Sequence, residues 1–278
     1  MLRISEISFP GLGIGEFNVN SVGIKIGSVE IAWYAIIITF GMLCAVAYMV
    51  FRTKQVGLKF DDVIDFALWA IPFGIVGARL YYVLTKLENF HSFMDVINIR
   101  NGGLAIYGGI IAGAVAVYVV SRIKKIPFLV IADCATPGII LAQSIGRWGN
   151  FMNGEAFGYE TDWFCRMGLR NSLTGYEFLY VHPTFLYESL WNLLGFVLVN
   201  LFYKHRKYDG QIFLLVFGWY GLGRMFIEGL RTDSLYTNLF GWEFRTSQVL
   251  AGVIFVVCTA LLVYFAIKKT QKELYKKV

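Results

Sequence analysis

Apolar runs about twenty residues long recur along this chain, and no other feature limits its fold as strongly. A hydrocarbon core about 30 Å thick demands about 20 apolar residues from each helix that crosses it. Read in order, the runs predict seven membrane helices, near residues 31–51, 63–84, 103–121, 128–148, 184–203, 212–230 and 248–267. The expected fold is all-α: a polytopic membrane protein, with 1–278 forming one membrane domain. Charged residues make up 16% of the chain, well below the roughly 25% of a soluble domain.

Outside the runs, three segments stand apart. Residues 1–30 lack the basic and apolar regions of a signal peptide. Within them FNVNSVGIKIGSVEI alternates apolar and polar residues, and Asn20-Ser21 offers a turn, so a short hairpin or arm is expected. The longest loop, about 150–183, is polar and aromatic, enough for a small head. Residues 268–278 form a lysine-rich tail.

The net charge of +6 would suggest nucleic acid in a soluble protein. Here most lysines lie in clusters after the first, third, fifth and seventh runs, all on one side. By the positive-inside rule that side is cytoplasmic, so the charge encodes topology and no nucleic-acid partner is expected. The N-terminal arm and the 150–183 head then lie outside, and the tail lies inside. Most arginines sit on the outer side, against that rule. A planar guanidinium fork recognises phosphate and carboxylate, which gives those arginines a reason.

Neither the four cysteines nor the three histidines have metal-ligand spacing, and the cysteines show no disulfide spacing. No metal centre is expected. The polar residues instead gather at the outer ends of the helices. The string QSIGRWGNFMNGEAFG carries Arg147, Asn150, Asn153 and Glu155 among Gly146, Gly149 and Gly154. In GLGRMFIEGLRTD, Arg224, Glu228 and Arg231 fall at i, i+4 and i+7 and share one helical face. Tyr34 opens the first helix, Tyr107 sits among four glycines in GGLAIYGG, and His182, Tyr187 and Glu188 open the fifth helix.

Each has a plainer reading. Arg224 and Glu228 could be a structural ion pair, Arg79 could pair with Glu88 or snorkel outward, and Tyr34 and Tyr187 could be belt aromatics. Several guanidinium groups near a membrane surface nevertheless suit a lipid phosphate, with glutamates offsetting their repulsion. A channel would show a ring of like charges. A transporter or flippase for an anionic lipid or metabolite, the alternative reading, would show a midplane ionisable group and an internal repeat, and no repeat is visible.

GRWGNFMNGE, with GGLAIYGG before it and HPTFLYES and GLGRMFIEGLR after it, resembles the bacterial phosphatidylglycerol:prolipoprotein diacylglyceryl transferase family. The resemblance spans about residue 33 to the seventh helix. It implies transfer of the diacylglyceryl group of phosphatidylglycerol to the lipobox cysteine thiol of a prolipoprotein, giving a thioether and glycerol 1-phosphate. It implies no metal or nucleotide cofactor, and a site at the outer leaflet of the cytoplasmic membrane. Its partners would be phosphatidylglycerol, the signal-peptide and lipobox segment of the prolipoprotein, and the bilayer.

By position, Arg147 and Arg224 match essential arginines that would grip the phosphate, and Asn150 would place the head group or an arginine. Glu155 and Glu228 would orient the arginines. Tyr34 and Gly154 match a required tyrosine and glycine. The expected catalytic set is Tyr34, Tyr107, Arg147, Arg224 and Glu228. The expected substrate-binding set is Arg147, Asn150, Asn153, Gly154, Glu155, His182 and Arg231. One position departs from the family: Tyr107 stands where many members have a histidine. A tyrosine of ordinary pKa, about 10, is a poor base at neutral pH. Either arginines depress it, or another group such as His182 takes the thiol proton, or Tyr107 serves structure and hydrogen bonding. The last is the reading adopted.

Overall fold

The computed structural model describes residues 4–90, 92–99, 102–239, 242–270, 274 and 275. The first three residues of the arm, and 271–273 and 276–278 of the tail, lie outside that set. Helices dominate: α1 Trp33–Thr53, α2 Phe60–Thr85, the short α3 Phe93–Ile97, α4 Ile106–Lys124, α5 Phe128–Asn153, α6 Thr184–Phe202, α7 Gln211–Glu228 and α8 Thr246–Ile267. Among the described residues, six helices are long and apolar enough to cross a membrane: α1, α2, α4, α5, α6 and α8. The chain is a multi-pass membrane protein. Helix α7 is not among the six; it is 18 residues long, interrupted by glycines and ends in Arg224–Glu228.

The all-α expectation is incomplete outside these helices. Strands β1 Ile4–Phe9, β2 Ile14–Asn20, β5 Met167–Arg170 and β6 Leu179–Val181 form an antiparallel sheet in the order β2-β1-β5-β6. In it Ile7 faces Phe17 on one side and Leu169 on the other. The arm and the long loop therefore form one sheet. Two hairpins accompany it, β3 Val22–Ile26 with β4 Val29–Ala32, and β7 Tyr236–Leu239 with β8 Trp242–Arg245. The arm's period-two pattern is strand, but its hairpin turn is not at Asn20-Ser21. Asn20 Oδ1 accepts from the Val22 amide at 2.9 Å and makes a corner there. The turn falls between β3 and β4, where Gly27 takes φ +60°, a conformation open to glycine without steric cost.

The chain divides into two compact units. One holds residue 4 to Tyr48 and Ala135 to Leu274. In it α1 and α5 approach closely at Gly41 and Gly138: a Cβ would come within 3.1 Å of the Ala142 carbonyl oxygen or 2.9 Å of that of Ala45. Small residues allow such approach where lipid offers no hydrophobic drive between helices. The buried face of the sheet, with Ile7, Phe9, Leu169 and Val181, packs with Phe185 of α6 and Phe151 of α5. The last two rings lie 4.8 Å apart. This core ties the sheet to the ends of α5 and α6.

The other unit spans Met49 to Cys134. There α2 and α4 meet at glycines, and a Cβ on Gly108 would lie 2.3 Å from the Gly77 carbonyl oxygen. Lys124 at the end of α4 bridges Asp62 at 3.0 Å and Asp65 at 2.5 Å near the start of α2. Among the described residues Arg79 makes no ion pair with Glu88 and turns instead to backbone. Its guanidinium donates to the carbonyls of Asp95, Val96, Asn98, Gly102 and Gly103 at 2.6–2.9 Å. It thereby folds the segment that leads into α4 and Tyr107, satisfying carbonyls that a glycine-rich loop leaves without ladder partners.

Candidate active site

Helix α5 runs five residues beyond its expected end at Trp148. Asn150 and Asn153, expected in the loop, are therefore helical like Arg147. The stop is Gly154, at φ +60°. The Gly154 amide donates to the Phe151 carbonyl at 3.0 Å and the Glu155 amide to that of Asn150 at 3.1 Å. This is a Schellman closure with glycine in the left-handed position. It folds Glu155 back over the last turn, where its Oε1 accepts from Asn150 Nδ2 at 3.2 Å and Asn153 Nδ2 at 3.0 Å. Arg147 Nη1 donates to Asn150 Oδ1 at 3.2 Å, so Glu155 reaches Arg147 through Asn150. A Cβ on Gly154 would meet Ser5 Oγ at 2.1 Å. Asn171 Nδ2 donates both to the Gly154 carbonyl and to Ser5 Oγ. The turn is thus fastened to β1.

The centre of the site is Glu188, one turn into α6 and 3% exposed. Its Oε2 lies 2.5 Å from Arg147 Nη2. Its Oε1 accepts from Arg224 Nη1 at 2.6 Å and Arg231 Nη1 at 3.2 Å. Arg224 also bridges Glu228 Oε2 at 2.5 Å. Arg231 makes a two-pronged pair with Asp233, Nε to Oδ1 at 2.9 Å and Nη2 to Oδ2 at 2.8 Å. Three guanidinium groups from α5, α7 and the segment after α7 thus converge on one buried carboxylate. Arg147 is the most open, its side chain 22% exposed against 14% for Arg224 and 10% for Arg231.

The segment after α7 is held from several directions. The Arg231 and Gly158 backbones form an antiparallel bridge. The Tyr159 amide donates to the Leu230 carbonyl, and the Gly158 amide to that of His182. A Cβ on Gly158 would lie 2.8 Å from the Leu230 carbonyl oxygen and 2.7 Å from His182 Cβ, so only glycine fits between them. Arg245 donates to the Glu228 carbonyl at 2.6 Å and to the Tyr159 hydroxyl at 2.7 Å.

Burial opposes the Arg231 charge, but the hydrogen bond to Asp233 and the charges of Glu188, Asp233 and Glu228 outweigh it. The guanidinium is held above its ordinary pKa. Burial likewise opposes the Asp233 charge, and Arg231 outweighs it, holding that carboxyl below its ordinary value. Burial lowers the pKa of His182. Its Nδ1 lies 3.2 Å from the Tyr187 hydroxyl, itself 3.2 Å from Cys165 Sγ.

Of the expected residues, Arg147, Asn150, Asn153, Glu155, Arg224, Glu228 and Arg231 share this network. The Tyr34 ring lies against Gly149, where a Cβ would be 2.9 Å from Cδ2. Gly154 supplies the turn, and His182 pairs with the strand segment beside Arg231. Tyr107 belongs to the other unit, in the first turn of α4. The expected sets omit Glu188, Asp233 and Gly158. Glu188 had a signal, since an acid inside a membrane helix calls for a cationic partner. Asp233 stands two residues after Arg231 in the same string.

A family model described as prolipoprotein diacylglyceryl transferase matches residues 21–264. A Clostridium perfringens protein named phosphatidylglycerol–prolipoprotein diacylglyceryl transferase 1 is 42% identical over 269 residues, covering 92% of this chain and 99% of its own. An Enterococcus faecalis protein of the same name, without the numeral, is 44% identical over 259 residues, covering 88% of this chain and 90% of its own. A Listeria innocua counterpart is 39% identical over 267 residues, covering 92% and 94%.

Proposed function

The chain belongs to the prolipoprotein diacylglyceryl transferase family, and from that premise we propose how its residues carry the reaction. The protein transfers the diacylglyceryl group of phosphatidylglycerol to the cysteine thiol of a prolipoprotein. A sulfur–carbon bond forms at the glyceryl carbon as the carbon–oxygen bond to phosphate breaks. Glycerol 1-phosphate departs, and the thiol proton ends on it. The observation that carries this reading is the convergence of Arg147, Arg224 and Arg231 on Glu188.

A phosphodiester oxygen leaves poorly until its charge is neutralised. Arg147, the most open of the three, takes the phosphate first, and Arg224 joins it. Both are already oriented by Glu188 and Glu228, so little reorganisation accompanies charge development. Asn150 and Glu155 fix the Arg147 side chain. Arg231, locked by Asp233, holds Glu188 from its other side. A free thiol, with a pKa near 8.5, is only a few per cent thiolate at neutral pH, and the open guanidinium of Arg147 raises that fraction. Tyr107 takes a structural or hydrogen-bonding role.

Helix α7 serves as a seventh crossing. Its 18 residues span about 27 Å at 1.5 Å each, and its charged end is neutralised by the network. The lysine clusters put the C-terminus in the cytoplasm. The N-terminus, the sheet and the arginines then lie on the outer side of the bacterial cytoplasmic membrane. The test is a mass-shift assay: purified protein, phosphatidylglycerol and a lipobox peptide yield a diacylglyceryl adduct on the cysteine. A peptide with serine at that position yields none. Absence of adduct from folded protein overturns the reading.

A further inference from the structure

Two reciprocal clasps grip α6. Towards α7, the Trp191 indole N–H donates to the Trp219 carbonyl and the Trp219 indole N–H donates to the Trp191 carbonyl, each at 2.9 Å. The two rings stack with centroids 4.3 Å apart and planes 15° from parallel. Each ring lies on a glycine of the opposite helix. A Cβ on Gly223 would come within 2.1 Å of the Trp191 indole nitrogen, and one on Gly195 within 2.3 Å of the Trp219 indole. Each glycine stands four residues after the tryptophan whose carbonyl is used, so the same seat occurs twice.

Towards α5, Ser144 Oγ donates to the Ser189 carbonyl at 2.7 Å and Ser189 Oγ donates to the Ser144 carbonyl at 2.9 Å. The Trp148 indole N–H donates to Ser189 Oγ at 3.1 Å. Glu188 stands beside Ser189 and one turn before Trp191. Arg147 lies one turn beyond Ser144, and Arg224 follows Gly223 directly. Both clasps therefore sit at the level of the charged cluster or one to two turns from it.

We propose that the two clasps are register locks, with Trp191, Trp219, Ser144 and Ser189 as positioning residues that act through Glu188 on Arg147 and Arg224. In lipid, aliphatic side chains between helices give little axial specificity, and close packing and directed hydrogen bonds must set it. A slip of one residue moves a helix about 1.5 Å, enough to part a 2.5 Å ion pair. Reciprocal donation resists slip in both directions, because each helix carries one donor and one acceptor of the pair. The proposal rests on the reading of the arginines as the phosphate site.

The test compares Trp191→Phe, Trp219→Phe, the double variant and Ser144→Ala. The phenylalanines keep a stacking ring and lose the N–H together with part of the indole's packing on the facing glycine. The readouts are the ratio of affinity for phosphatidylglycerol over phosphatidylcholine in detergent, kcat for thioether formation per folded enzyme, and melting temperature. None of the four residues is placed in the phosphate site, so a merely structural role lowers the melting temperature and leaves the ratio and kcat unchanged. That result overturns the proposal. The expected result is a fall in both by about tenfold or more in each single tryptophan variant, since a 1 Å misplacement can cost about a hundredfold. The double variant falls little further, because either change opens the clasp. If a tryptophan variant does not fold, Ser144→Ala reads the same quantities and decides. A wild-type protein that prefers phosphatidylglycerol yet forms no thioether counts against the transfer reading, and the affinity ratio still decides the register locks.

Discussion

Glu188 Oε2 lies 2.5 Å from Arg147 Nη2, joining the last turns of α5 to the first turns of α6. The other oxygen of the same carboxylate accepts from Arg224 and Arg231. One buried anion thus holds three cations that would otherwise repel one another. The network must be satisfied as a whole, because a buried group left without its partner bears the full desolvation cost.

Replacing Glu188 with glutamine keeps the shape and removes the anion. Breaking one side of a buried pair typically costs about 3–5 kcal/mol, and here three arginines lose a partner together. The Glu188→Gln protein is expected to melt well below the wild type and to form thioether at least about a hundredfold more slowly. Thermal unfolding in detergent and the adduct assay measure the two effects. Wild-type rate and melting point would remove Glu188 from the centre of the site.

Arg147 should not tolerate lysine. An ammonium is a compact point charge without the planar fork, and it cannot reach Glu188 and Asn150 at once as the two terminal nitrogens do. Arg147→Lys and Arg147→Ala are both expected to lose about a hundredfold or more in rate while inserting normally. Near-wild-type turnover by Arg147→Lys would mean that charge alone suffices.

Several of these partners were legible in the sequence, and their arrangement was not. Arg147, Asn150 and Glu155 were readable because polar residues at the end of an apolar run need a reason. Arg224 and Glu228 were readable from i, i+4 spacing on one helix. The role of Glu188 depends on which helices lie side by side, which no single run encodes. The same holds for β1 pairing with β5: the strand pattern is local, the partner distant. Helix α5 continues past Trp148 because asparagine does not break a helix, and it stops where Gly154 takes the left-handed conformation. Arg79 looked like half of an ion pair, because a loop carbonyl gives no signal in the side-chain sequence.

Tyr107→Phe isolates the hydroxyl at the position that departs from the family. Loss of a general base costs about a hundredfold or more. If the hydroxyl is not the base, the rate is expected to fall by less than about threefold, far below that cost. Complete loss in folded enzyme would make the hydroxyl essential.

The pH profile separates the substrate thiol from the network. Arg231 is held above its ordinary pKa and Asp233 below its own, so that pair keeps its charges across the neutral range. The rate is then expected to follow thiolate formation, rising about tenfold per unit from about pH 6 and levelling somewhat below the free-thiol pKa of about 8.5, because the site favours the thiolate. A plateau beginning below the ordinary histidine value would instead point to His182, whose pKa burial lowers. For stability the sign follows from Asp233. Its folded pKa is depressed, so its contribution is present above the unfolded carboxylate pKa of about 3.9 and lost as pH falls through the lower folded value. Asp233→Asn should weaken that loss on the acid side and leave the neutral-to-alkaline slope unchanged.

Gly158 is the strictest test of the geometry, because it touches no charge. It lies between the 180–182 segment and the 230–232 segment, pairing with both. A methyl group there meets the Leu230 carbonyl oxygen at 2.8 Å and His182 Cβ at 2.7 Å. Backbone on one side cannot turn aside, so the strands must part and carry Arg231 away from Glu188. Overpacking of this kind costs about 1–3 kcal/mol. Gly158→Ala is therefore expected to lower the melting temperature modestly and the transfer rate much more. Gly175→Ala serves as the control, since a Cβ there meets nothing within 4 Å, while its φ of +66° brings a backbone strain that Gly158 does not have. Equal loss of rate in both would mean that the placement of Arg231 does not set the effect.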